Sequence, residues 1–289
     1  MLFYTDSEER APSSLTNVVA NNHISRIVLI ENNEFYCPIA FTADRASFTH
    51  NYTMQTGIGK GKGQGWETIV LPFDVKKITH AAKGTIVPFK AYTAEEGTHP
   101  FWLYEYDSTR GFVEADAIKA NLPYILSMPN NNRYAEEYIL AGKVEFSSEN
   151  VTVMSSEGLQ AVTCGDNIFI PTFQRTSKSV KALNVNNDFV SNSSGQTPGS
   201  RFIYSLREVL PFEAYMKSAS GAQTDVGIFD ELPTSIGVIP ERGATSRQLI
   251  VYSTSGQVIR VIDECPEEVA LRGLTPGVYI INGKKKVVK

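Results

Sequence analysis

Short runs of β-branched and aromatic residues, each stopped by glycine, proline, asparagine or serine, recur along the whole chain. No other feature constrains the fold as strongly. A period of two puts alternate side chains on opposite faces of a strand, whereas a helix needs a period near 3.6 over a longer window. "RIVLI" stops at Glu31-Asn32-Asn33, and "EFYCPIAFTA" follows with Phe35, Cys37, Ile39 and Phe41 on one parity. This second run reads as a half-buried strand. Pro38, which has no N–H to donate, assigns it to a sheet edge or a bulge. "ASFTHNYTM", "WETIVLPF", "GTIVPFKAYT", "PFWLYEYD", "GKVEFSSENVTVM", "NIFIPTFQ", "VKALNVNN", "FIYSL" and "LPFEAYMK" continue the pattern, and only "FVEADAIKANL" offers a helical turn or two. Many short strands at a spacing of roughly 8–12 residues predict an all-β protein with a β-sandwich or barrel-like body, not alternating β/α units.

Pro-Phe-x-Ala-Tyr occurs twice, in "PFKAYT" at 88–93 and "PFEAYM" at 211–216. It fits equivalent strand starts in two halves of a duplicated sandwich, and it fits coincidence equally well, since one short echo is weaker than a repeat of fixed period. "SNSSGQTPGS" at 191–200 is a loop of turn residues. A second break, "DELPTSIGVIPERGATSRQ", sets a domain boundary near Leu232 to Pro240, dividing a body over 1–235 from a small domain over 240–289. A chain of 289 residues with 42% hydrophobic content is long and apolar enough for two such cores. In the small domain Ser255-Gly256 turns one pair of strands. Asn282-Gly283 turns another, because both central residues of a type I′ turn need positive φ. The expectation is a compact antiparallel, sandwich-like β module. Lys284-Lys285-Lys286 lies on its terminal strand, where lysines discourage edge pairing.

Gly57 to Trp66, "GIGKGKGQGW", resembles a phosphate loop only in composition. A Walker loop needs Gly-Lys followed by Ser or Thr, but Gly59-Lys60 and Gly61-Lys62 are each followed by glycine, and strict alternation breaks the dinucleotide fingerprint at its third glycine. A strand-like "WETIVLPF" follows instead of a helix N-terminus, so the glycines read as a loop between two strands, where added length has a small entropic cost. A net charge of −4 gives no basic face for nucleic acid. No apolar run reaches the roughly 20 residues of a membrane-spanning helix. "MLFYTDSEER" lacks the layout of a signal peptide, so an exported chain of this sequence would be a mature form.

Candidate chemistry is sparse. Cys37, Cys164 and Cys265 are far apart and read as small buried hydrophobes rather than a disulfide framework or zinc site. His23, His50, His80 and His99 form no HExxH or HxH, so no metal ligands, catalytic residues or cofactor-binding residues are assigned. Glu95-Glu96, Glu136-Glu137 and Glu267-Glu268 are adjacent in sequence, which on a strand points the two carboxylates to opposite faces. Aromatic residues are the richer class. Trp66, Trp102, Tyr104 and Tyr106 could stack on the C–H faces of sugars, or could simply fill a core. Within "FWLYEY", Trp102, Tyr104 and Tyr106 share one face and Phe101 and Leu103 the other.

The tail, "VYSTSGQVIR" followed by "LRGLTPGVYIINGKKKVVK", resembles the C-terminal secretion or sorting domain of exported Bacteroidetes proteins. Tyr252, Gly256, Leu274, Gly277, Tyr279, Gly283 and Lys289 stand where that family has its strand-ending Tyr, its glycine turns, its Leu-x-x-Gly-x-Tyr element and its terminal lysine. "FYCPIAFTADRASFTHNY", "GWETIVLPFDV", "LPYILSMP" and "LPFEAYMK" are similar to the β-rich segment that precedes such tails in surface proteins of Bacteroides and Prevotella, with His50 where that family tends to have Arg. The resemblance implies export and a cell-surface or extracellular location, and it implies no catalytic residues. The resulting expectation is a non-enzymatic surface protein, without a cofactor, acting in adhesion or as a structural module on an unidentified surface protein or glycan. The alternative is a carbohydrate-binding module using the tryptophans and tyrosines.

Overall fold

The computed structural model describes residues 2–6, 17–54, 65–88, 99–131, 134–185, 198–228, 248–253, 258–263, 271, 273–281 and 284–288. Over these residues the protein is all-β, its strands joined by two short 3-10 turns, Glu136–Tyr138 and Ser156–Gly158. Contacts divide the chain into two compact units, Met1–Asp230 and Glu231–Lys289.

The first unit holds an 11-stranded sheet. Its strands are β1 (Phe3–Thr5), β2 (Val18–Ala20), β3 (His23–Leu29), β4 (Phe41–Tyr52), β5 (Glu67–Ile69), β6 (Lys77–His80), β7 (Gly84–Pro88), β8 (His99–Asp107), β9 (Gly111–Glu114), β10 (Tyr124–Ser127) and β11 (Gly142–Val153). They run in the order β1-β2-β3-β4-β11-β6-β7-β8-β10-β5, with β9 paired to β8. The longest ladder is antiparallel β4–β11, in register from Phe41↔Val153 to Tyr52↔Gly142. This ladder sends Phe41, Ala43, Phe48, Val144, Phe146 and Val151 into the main core.

β8 is buried on both faces. Phe101 and Leu103 enter the main core. The opposite face packs by rings: Trp66 on Tyr104 at 5.1 Å between centroids, Trp102 near Tyr134 at 6.1 Å, and Tyr106 on Phe169 at 5.7 Å. Phe169 belongs to a second sheet of six strands, β12 (Val162–Cys164), β13 (Asn167–Pro171), β14 (Lys181–Leu183), β15 (Arg201–Tyr204), β16 (Ala214–Ser218) and β17 (Val226–Gly227), in the order β12-β13-β16-β14-β15-β17.

Two sequence expectations are corrected. "FVEADAIKANL" forms no helix: its first residues are β9, turned back on β8 at Gly111, whose φ is +73°. The Asp107 carboxylate caps that turn by accepting the N–H groups of Thr109 and Arg110, and Phe112 packs against Tyr106 and Phe169, so tertiary pairing overrides the helical spacing. Residues 34–40 are not strand either, and β4 begins at Phe41. The predicted parity survives at Phe35 and Cys37, which are buried, but Ile39 is exposed. Pro38 interrupts any ladder, and serine side chains pin the segment instead. The Pro-Phe-x-Ala-Tyr echo cannot be compared across its two copies, since residues 89–98 lie outside the described residues, as does the glycine loop over 55–64.

The second unit is a four-stranded antiparallel sheet of β18 (Gln248–Ser253), β19 (Val258–Asp263), β20 (Gly277–Ile281) and β21 (Lys284–Val288), ordered β19-β18-β20-β21. Its core is Val251, Tyr279 and Ile281, with Leu271, Leu274 and Val288 packed against it. β20 and β21 pair from Ile281↔Lys284 outward, a two-residue hairpin connection, and β21 with its lysines lies at the sheet edge.

Candidate functional site

One histidine lies in a cluster that combines three residues distant in sequence. β3 ends in a turn that carries Glu31, with Asn33 N–H closing back on Ile30 O and Asn32 at a φ of +66°. His50 lies near the end of β4, and Glu67 opens β5. The His50 imidazole spans the gap between the carboxylates, with Nδ1 2.6 Å from Glu31 Oε1 and Nε2 2.8 Å from Glu67 Oε2. The ring of Tyr52, two residues along the same face of β4, meets His50 edge-on at 4.4 Å.

The electrostatics follow from this geometry. Burial alone would push the imidazole pKa down, but the hydrogen bonds and charges of Glu31 and Glu67 override it and raise it to about 10. His50 is therefore an imidazolium that donates from both nitrogens. Tyr52 is pushed well above the ordinary phenol range, first by burial and then by the two carboxylates. The segment Leu210–Glu213 closes the site: Val70 donates to Phe212 O, Ala214 N–H donates to Thr68 Oγ1, and Glu213 is held by Arg207 at 2.7 Å. A cavity of about 40 Å³ remains among Glu31, His50, Tyr52, Glu67, Thr68 and Pro211, enough for water-sized groups and far below a small-molecule site.

An imidazolium with both N–H groups engaged has no lone pair for a proton or a metal. Its evident role is cohesive: one cation joins the β3 turn, β4 and β5. Sequence reasoning missed the cluster because it weighed only neighbouring carboxylates, and Glu31, His50 and Glu67 follow no local spacing. Of those neighbouring pairs, Glu136-Glu137 sits exposed on a 3-10 turn, while 95–96 and 267–268 lie outside the described residues. Among the described residues no group of three or more His, Cys, Asp or Glu side chains is placed to hold a metal ion.

The aromatic candidates lie in the interior. Trp66, Trp102, Tyr104 and Tyr106 are only 0%, 6%, 4% and 6% exposed, so they fill the interior on the second face of β8 and offer no ring face to a sugar. Cys37 and Cys164 are buried free thiols, and Cys265 lies outside the described residues. His80 is a satisfied interior histidine, its Nδ1 accepting the N–H groups of Ala82 and Lys83 and its Nε2 lying 2.9 Å from Ala141 O. Of the tail residues, Leu274 and Tyr279 meet in the small core, where Tyr279 donates its hydroxyl to Thr275 O at 2.8 Å, and Gly277 opens β20. Tyr252 lies on β18, while Gly256, Gly283 and Lys289 fall outside the described residues.

Fold and site together define a two-unit all-β protein with a clasped histidine beside a small cavity. Comparison of the chain with family models, with curated proteins and with solved structures gave no match. Among the described residues no helix is long and apolar enough to cross a membrane.

Proposed function

We propose that the chain is a non-enzymatic, exported cell-surface protein whose body serves adhesion or a structural role and whose last fifty or so residues serve export or surface retention. The observation that carries this reading is the separate compact unit formed by the tail, with its own sheet and its own core of Val251, Tyr279 and Ile281. A sorting module has to be recognisable apart from its cargo, and a self-contained unit suits that need. The tail motif described above supplies the expectation of a Bacteroidetes origin. We read the body as stacked sheets of sandwich type. This is supported by β8, which turns one face into the main core and the other towards Phe169.

The occupied imidazole of His50 favours a non-catalytic body, because the best-placed titratable group is committed to holding strands together. Binding of sugars through the tryptophans loses its motivation with their burial. Deleting residues 240–289 in the producing organism tests the tail: the body is expected to accumulate inside the cell, and undiminished surface delivery would overturn the sorting role.

A further inference from the structure

Residues 34–40 form an outward-facing loop held in place by other parts of the body. Phe35 N–H donates to Phe173 O at 2.9 Å, and Cys37 N–H donates to Ser156 Oγ at 2.8 Å. Ser156 N–H donates to Cys37 O at 2.7 Å, Ser155 Oγ donates to Pro38 O at 3.1 Å, and the Tyr4 hydroxyl donates to Ile39 O at 3.1 Å. With Phe35 and Cys37 anchored inside, the loop presents Tyr36 and Ile39 outward, 59% and 56% exposed, and Met154, 41% exposed, directly precedes the two pinning serines. Large apolar side chains kept in water on a preorganised backbone are the usual anchors of an interface, since ordering the loop costs nothing further on binding.

The segments that build this loop carry acidic side chains. The segments that build it, 2–6, 34–41 and 150–158, contain Asp6, Glu34 and Glu157, all exposed, and no lysine or arginine. Arg175 offers its backbone N–H to Glu34 and directs its guanidinium to Glu208.

The geometry points to Tyr36, Ile39 and Met154 as a docking surface for a protein partner that offers an apolar pocket rimmed by lysine or arginine. The acidic rim selects that partner by steering and by repelling acidic surfaces. This deepens the reading of the body as an interaction module and rests on it.

The test uses the full chain and two probe peptides sharing one leucine- and phenylalanine-rich face, the first flanked by lysine and arginine, the second by glutamate. The basic probe is expected to bind, and to bind at least roughly tenfold more weakly to the Tyr36→Ser/Ile39→Ser variant, which removes two interface anchors. Glu34→Lys/Glu157→Lys should weaken it as well. All four positions are exposed, so an unchanged thermal midpoint verifies folding in each variant. No binding by the basic probe, equal binding by the acidic one, or indifference to the Tyr36/Ile39 variant overturns the assignment. So does a variant-sensitive dimer in light scattering, which assigns the patch to a second copy, or variant-sensitive binding to phosphatidylcholine vesicles, which assigns it to a membrane. Surface delivery of the same variants is measured separately: a delivered chain that fails to bind removes the patch alone, whereas failure of the tail deletion concerns export.

Discussion

At the scale of single residues, His50 gives the sharpest expectation. Its folded pKa, about 10, stands above the ordinary 6.5, so the native state retains a proton that the unfolded state releases between those values. The stabilisation is complete below about pH 6.5, declines as pH rises, and is gone above about pH 10. Allowing for solvent screening at this half-buried site, it amounts to roughly 2 kcal/mol. Urea midpoints measured from pH 6 to 10 should fall in wild type; His50→Gln should lower the midpoint at pH 6 and remove that part of the slope. His50→Arg keeps a cation at every pH of the series, so its curve should be flat and should lie above that of the glutamine variant near pH 9. A slope that persists in His50→Gln would assign the titration to another group. Gly199 is a second single-residue constraint: its φ is +65°, and a Cβ there would overlap the Trp66 backbone, whose N–H it accepts at 3.3 Å. Gly199→Ala should therefore destabilise the body by about 2–4 kcal/mol in denaturant titrations, as expected where both conformation and space exclude a side chain.

At the scale of elements, the alternation of "FWLYEY" could be read directly, but what lay on each side could not. Period two assigns Phe101 and Leu103 to one face and Trp102, Tyr104 and Tyr106 to the other. Whether the second face meets water or protein depends on Trp66, on Tyr134 and on Phe169 of β13, which comes some sixty residues later. Sequence reasoning thus found the right faces and left the surroundings of the second one open. A similar limit explains residues 112–122, where the helical spacing is real and the hairpin at Gly111 overrides it. It also explains Glu31, His50 and Glu67, which meet although the strand order places β5 far from β4 in the sheet. The double burial of β8 has a measurable consequence: truncating either face should be costly. Phe101→Ala and Trp102→Ala should each lose about 3–5 kcal/mol, because each leaves a large cavity. A sugar-facing Trp102 would instead be cheap to truncate. Native tryptophan fluorescence should be blue-shifted, weakly quenched by acrylamide and unchanged by added oligosaccharides, and strong quenching would contradict the buried positions of both rings.

At the scale of the whole molecule, the two units differ greatly in the size of the core each can form. Among the described residues the body draws on a core of more than two dozen buried side chains in its larger cluster and the second unit on Val251, Tyr279 and Ile281 with a few half-buried neighbours, and the second unit spans only Glu231–Lys289 against Met1–Asp230. Small cores confer little stability, and the denaturant sensitivity of a transition scales with the surface it exposes. The second unit should therefore unfold at lower denaturant and with a shallower slope than the body. Both tryptophans, Trp66 and Trp102, belong to the body, so their fluorescence reports that unit alone, while far-ultraviolet circular dichroism reports both. The two signals should not coincide in a urea titration. Tyr279→Ala removes a ring buried in the small core and its hydroxyl bond to Thr275 O, so it should abolish the early dichroism phase and leave the tryptophan transition in place. A tryptophan midpoint that moves with Tyr279→Ala would mean that the two units fold as one. The tail could then not act as the separable module that the proposed export role requires.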